Sequence, residues 1–123
     1  MQEKFQALTK EERLYIVAAV FFFAGFAPTS LSSSEMWLLC SVMDLSEEEI
    51  KKFNIPDYDS LISHIKNNSD DDIKHWIITN TYKYVLKSRR SDAEPAFKAF
   101  VNDLKWDKNM IKESMALCKE LNS

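Results

Sequence analysis

Glu35 and Glu94 are the first residues that could do chemistry, and each stands three residues after a serine, Ser32 and Ser91. A hard divalent cation takes several oxygen ligands, usually with more than one carboxylate among them, so a pair of such glutamates could contribute to a metal site. The same S-x-x-E spacing also completes a capping box, in which hydroxyl and carboxylate each satisfy a backbone N–H at a helix start. The box accounts for both side chains without a ligand and is the simpler reading. Asp57, Asp59 and Asp70 to Asp72 are a second acidic group. Acids at helix N-termini complement the dipole, and the D-x-D-x-D-G spacing of a calcium loop is missing.

A basic cluster offers the opposite chemistry. Lys83, Lys87, Arg89 and Arg90 gather at the end of a long helical pattern and could bind an anion or nucleic acid. Cations at a helix C-terminus also stabilise the dipole with no ligand at all. Tyr82 lies opposite the stripe formed by Trp76 and is read as a lone exposed aromatic beside this cluster. His64 and His75 show no zinc-binding pattern, and Cys40 and Cys118 form no C-x-x-C. A cysteine–histidine nucleophile pair has no local motif to support it. No catalytic residue and no resident cofactor are therefore expected. Widely spaced cysteines suit buried thiols in a reducing, cytoplasmic setting.

The elements that must position these residues are helices. The 123-residue chain has one glycine and three prolines, too few chain-breakers for a turn-rich β fold. Hydrophobic content of 46% and charged content of 28% fit one globular domain. The net charge of −3 supplies no field for nucleic acid or an anionic membrane. Residues 1–8 read as a loose lead-in. Thr9 to Glu12 is a capping box opening a helix from Lys10 to about Phe26, with Gly25 and Pro28 bracketing its end. Its greasy core, Leu14 to Ala27, falls short of the ~20 residues of a membrane span. The mixed charges before it do not make a signal-peptide start. It is read as a buried central helix.

Ser32 opens a helix expected to bury Met36, Trp37, Leu39, Cys40 and Met43, closed by Asp44 and Leu45. Ser46 to Glu49 is another box before a short helix carrying Ile50 and Phe53, and Asp57 or Asp59 starts a further one carrying Leu61, Ile62 and Ile65. Ile73, Trp76, Ile77, Thr81, Tyr84 and Val85 share one face of the second long helix, which ends near Ser88. Thr79, Asn80 and Thr81 are polar residues in its middle, a pointer to a groove between the long helices. Near Ser91, Asp92 makes the better N-cap, because it brings Pro95 into the first turn, where a missing N–H costs little. Phe97, Phe100, Val101 and Leu104 form the buried side there, and a last helix runs from about Asp107 to Leu121.

The halves repeat. Ser32, Glu35, Asp44 and Leu45 recur as Ser91, Glu94, Asp103 and Leu104 at an offset of 59 residues. Such a period implies two copies of one unit, about 10–54 and 70–118, packed on each other. The expected fold is an all-α bundle of about seven helices in two pseudo-repeats around two long central helices.

This pattern resembles the TerB-like domains of the tellurite-resistance family across nearly the whole chain. Where that family ends each long helix in Asp-Gly, this chain has Ala24-Gly25 and Lys87-Ser88, while the helix-opening glutamates persist as Glu35 and Glu94. The resemblance implies a non-enzymatic cytosolic interaction module with a protein partner, connected to stress response or defence. It also implies, as an alternative, a divalent-metal site with Glu35 and Glu94 as residual ligands. A second alternative is a small anion- or nucleic-acid-binding bundle using Lys83, Lys87, Arg89 and Arg90.

Overall fold

The computed structural model describes residues 1–27 and 31–122. It is all-helical, with eight helices among those residues: α1 Gln2–Gln6, α2 Lys10–Ala24, α3 Ser33–Met43, α4 Glu47–Lys52, α5 Tyr58–Ile65, α6 Asp71–Lys87, α7 Ala93–Leu104 and α8 Lys108–Leu121. The helix beyond the expected seven is α1. Five residues cannot hold a helix alone, and α1 is held from outside. Phe5 is fully buried, edge-on to Trp76 with 5.0 Å between ring centroids, and Lys4 pairs with Asp70 and Asp72. One buried residue in five leaves no periodicity to read, so the lead-in reading fails for want of a local signal.

The helix starts follow the local code. Ser32 and Ser46 form complete capping boxes with Glu35 and Glu49. At Thr9 only half the box forms: the hydroxyl accepts the Glu12 N–H and donates to the Glu12 carboxylate. Asp57, Asp70 and Asp107 cap α5, α6 and α8. Asp92 is the N-cap of α7 by position but makes no capping bond, because its carboxylate is turned to Arg90. The Ser91–Glu94 box is therefore not formed, and Pro95 sits in the first turn of α7.

Helix α2 ends at Ala24, two residues before the expected Phe26. Gly25 has φ −64°, ordinary right-handed backbone, so no glycine is required there. Pro28 lies outside the described residues. The left-handed stops fall on Asp44, φ 53°, and Lys105, φ 58°, which end α3 and α7. Arg13 donates to the carbonyls of Met43, at 2.7 Å, and Asp44, at 3.3 Å, and so covers the open end of α3.

Those stops also correct the repeat. Asp44 is a helix stop, whereas Asp103, its partner at an offset of 59, lies inside α7 and accepts the Tyr58 hydroxyl at 2.7 Å. Three pairs with matching roles are 61 apart, the N-caps Thr9 and Asp70, the stops Asp44 and Lys105, and the N-caps Ser46 and Asp107, while the N-caps Ser32 and Asp92 are 60 apart.

The centre of the bundle is α2 against α6, with α5 on α2, and α7 and α8 on α6. Phe23, Phe97, Phe100 and Tyr82 fill the space between α2, α6 and α7. Tyr82 is 1% exposed and lies 4.8 Å from the Phe97 ring, so it is no exposed aromatic. The stripe containing Trp76 and the opposite side of α6 are both covered, by α2 and by α7 and α8, and a single-stripe reading of α6 misses this. The reverse error falls on α3. It buries only Leu39 and Met43, and Trp37, expected inside, is 68% exposed. No helix among the described residues is long and apolar enough to cross a membrane.

Candidate functional site

The site is built where α3 faces α6. Polar residues in the middle of α6 satisfy themselves within the helix. Thr79 donates to the His75 carbonyl at 3.1 Å, Thr81 to that of Ile77 at 2.7 Å, and the Asn80 amide to that of Trp76 at 2.9 Å. The other end of Asn80, its carbonyl oxygen, remains for Lys83, whose ammonium donates to it at 3.3 Å and lies 5.1 Å from the Tyr84 ring centroid. Lys83 makes no ion pair among the described residues. Burial pushes its ammonium below the ordinary lysine value, Glu35 opposes that and Lys87 adds to it.

Across from α6, Glu35 does more than cap α3. One carboxylate oxygen accepts the Ser32 N–H at 3.3 Å and the other accepts the Tyr84 hydroxyl at 3.0 Å. Burial pushes the Glu35 carboxyl up, but the bonds from Ser32 and Tyr84 and the charge of Lys87 outweigh it and hold the group below the usual range. Tyr84 is pushed up, by burial first and then by its bond to the Glu35 carboxylate. The residues read from the sequence as two opposed sites, a carboxylate and an ammonium cluster, thus meet at one place: Glu35 with Lys83 and Lys87.

Between them runs a groove of about 250 Å³, lined by Leu31, Leu38, Leu39 and Val42 on the α3 side, Val20 of α2, and Trp76, Asn80, Lys83 and Tyr84 of α6. Leu38, 55% exposed, forms its rim, with Trp37 beside it in sequence. Tyr84, Trp76, Leu38 and Val42 are its residues that sequence reasoning missed as a site. The polar residues Thr79, Asn80 and Thr81 pointed to a groove between the two long helices; of the three only Asn80 lines this one, whose other wall is α3.

The remaining candidates stand elsewhere. Glu94 is exposed in the first turn of α7 and makes no box. Arg90 binds Asp92 through both guanidinium edges, at 3.0 and 2.7 Å, and covers the Phe26 ring at 4.7 Å. Arg89 is exposed. The basic residues therefore divide, with Lys83 lining the groove, Lys87 acting by its charge on Glu35, and Arg90 bound to its own loop. Among the described residues no group of three or more His, Cys, Asp or Glu side chains could hold a metal ion.

Neither histidine meets a cysteine among these contacts. His64 stacks on Tyr15, with ring centroids 3.8 Å apart, and its Nδ1 is 2.8 Å from the Ser60 carbonyl. His75 Nδ1 lies 2.7 Å from the hydroxyl of Ser114, which donates to the Met110 carbonyl at 2.9 Å. A serine–histidine contact invites comparison with a nucleophile and its base. Ser114 is fully buried, however, so the contact locks α6 to α8. Cys40 and Cys118 are both free thiols, and the Cys118 thiol donates to the Thr79 carbonyl at 3.4 Å.

Compared with known proteins, the chain matches no family model, no curated protein and no solved structure.

Proposed function

We propose that the protein is a non-enzymatic interaction module that binds a protein partner through the exposed side of α3. The observation that carries this is the exposure of Trp37 and Leu38, two large apolar side chains consecutive in α3 and both open to solvent, with Leu38 also lining an apolar groove. Tryptophan is the residue type most enriched among interface hot spots, where a few side chains carry most of the binding energy. Contiguous exposed apolar surface marks interaction sites in soluble proteins. The resemblance to the TerB-like domains supports the same reading and suggests a cytoplasmic role in stress response or defence. The metal alternative has less behind it. The Glu35 carboxylate already accepts two donors, and Glu94 stands on a different helix in different surroundings.

Affinity capture from cells expressing the protein tests this reading. The doubly substituted Trp37→Ser, Leu38→Ser chain is compared with the unaltered one, and circular dichroism confirms that both are folded. A partner retained by the unaltered chain and lost from the variant is the expected result. Identical retained proteins in the two captures would remove α3 as the binding surface.

A further inference from the structure

We propose that the groove between α3 and α6 is a binding site for a small amphipathic carboxylate, its apolar chain lying along Val20, Leu31, Leu39, Val42 and Trp76 and its carboxylate on the ammonium of Lys83. This goes beyond the reading of α3 as a protein-binding surface, since the ligand sits on the floor of the groove and uses neither Trp37 nor the outer face of Leu38.

Three observations carry it. The first is the shape and composition of the groove. Its walls are mostly aliphatic and aromatic, and its few polar groups are linked to one another, Lys83 to Asn80 and to the Tyr84 ring, and Tyr84 to Glu35. Ligand sites have this form, mostly apolar with a small number of placed polar groups. The volume, about 250 Å³, lies just under the usual range of roughly 300–1,000 Å³ and fits a short chain rather than a large cofactor.

The second is the condition of Lys83. Its ammonium is half-buried, and its hydrogen-bond acceptor is the neutral Asn80 carbonyl, with no carboxylate pairing it among the described residues. Glu35 acts on it only through space, and a partly desolvated cation with no carboxylate in contact gains when an anion arrives, because charge-assisted hydrogen bonds are the strong ones. Burial already weakens the hold of Lys83 on its proton.

The third is the charge balance at the polar end. Glu35 would repel an anion if it stood alone. Its oxygens are engaged by the Ser32 N–H and the Tyr84 hydroxyl, and the charge of Lys87 also acts on it. Lys83 and Lys87 against Glu35 leave a surplus of positive charge. One half-buried lysine beside a neutral amide suits a single carboxylate. A phosphate, with more charge and three oxygens to satisfy, draws on a cluster of donors.

Titration of the unaltered protein with octanoate, 1-octanol and octylamine, followed by amide NMR shifts and the Trp76 indole signal, tests the proposal. Octanoate is expected to saturate, to move signals of Val42, Trp76, Asn80 and Lys83 together, and to bind more tightly than the other two. Lys83→Met is expected to weaken octanoate about tenfold or more, the effect of losing a hydrogen bond to a charged group, and to leave octanol unchanged. Arg89→Ser, on the loop after α6, is expected to change nothing. Octanol binding as tightly as octanoate, octylamine binding more tightly, shifts that never saturate, or an unchanged octanoate affinity in Lys83→Met would each overturn it. If Lys83→Met does not fold, the ranking of the three head groups on the unaltered protein decides. Failure here leaves partner capture through Trp37 and Leu38 unaffected, so the two readings fall separately.

Discussion

Helices α3 and α7 hold the same place in the order of elements, each following a long helix, and they meet opposite fates. Helix α7 packs on α5 and α6 and buries Ala93, Phe97, Phe100 and Leu104. Fully burying a large apolar side chain contributes roughly 1.5–3 kcal/mol, so Phe97 and Phe100 alone bind α7 firmly into the core. The main helical neighbour of α3 is the short α1, and α3 buries only Leu39 and Met43. Its remaining apolar residues line a groove or face solvent. Helix α7 closes the core, and α3 leaves apolar side chains open to solvent.

The largest expected effect tests the closed side. Phe97 touches the rings of Phe23, Tyr82 and Phe100. Phe97→Ala should cost about 3–5 kcal/mol in urea denaturation, as truncations of core phenylalanines do. A cost under about 1 kcal/mol, the scale of a tolerated surface change, would erase the contrast between the two helices.

A smaller effect tests the hydrogen bond that ties α3 to α6. Glu35→Ala removes the carboxylate half of the α3 capping box, keeps the Ser32 cap and leaves the Tyr84 hydroxyl without its acceptor, which should cost about 1–3 kcal/mol by the same measurement. If Glu35 served only as a cap, Tyr84→Phe would be silent. With the tether, Tyr84→Phe and Glu35→Ala should be non-additive in a double-mutant cycle. The smallest effect belongs to the open side. Trp37→Ser should change stability by no more than about 0.5 kcal/mol, since the side chain is already in solvent. A loss of several kcal/mol would mean that Trp37 is packed and α3 closed.

Much of the fold was legible in the chain, and the legible part is local. The N-caps Ser32 and Ser46 act on N–H groups three residues on and so announce themselves in sequence, the start of α5 is narrowed to Asp57 or Asp59, of which Asp57 is the cap, and the starts of α6 and α8 are read only approximately. The faces of α5 and α7 were legible as well, because each is covered on one side and its apolar residues keep a helical period. The candidate site was legible only in pieces. Glu35 and Lys83 were visible as charged residues, but Tyr84 looked like one more core residue, and its bond to Glu35 spans 49 positions.

The sequence by itself determined that this protein is helical, where most of its helices begin, and which residues carry charge. Those properties follow from hydrogen bonds within one turn and from composition. Only the tertiary structure decided that Tyr82 is buried and Trp37 exposed, that residues 2–6 form a helix at all, and that the Lys83 ammonium faces an apolar groove. The reason is physical. Burial depends on what lies opposite a side chain, and the element opposite comes from a distant part of the chain, so the same apolar residue becomes core on α7 and open surface on α3.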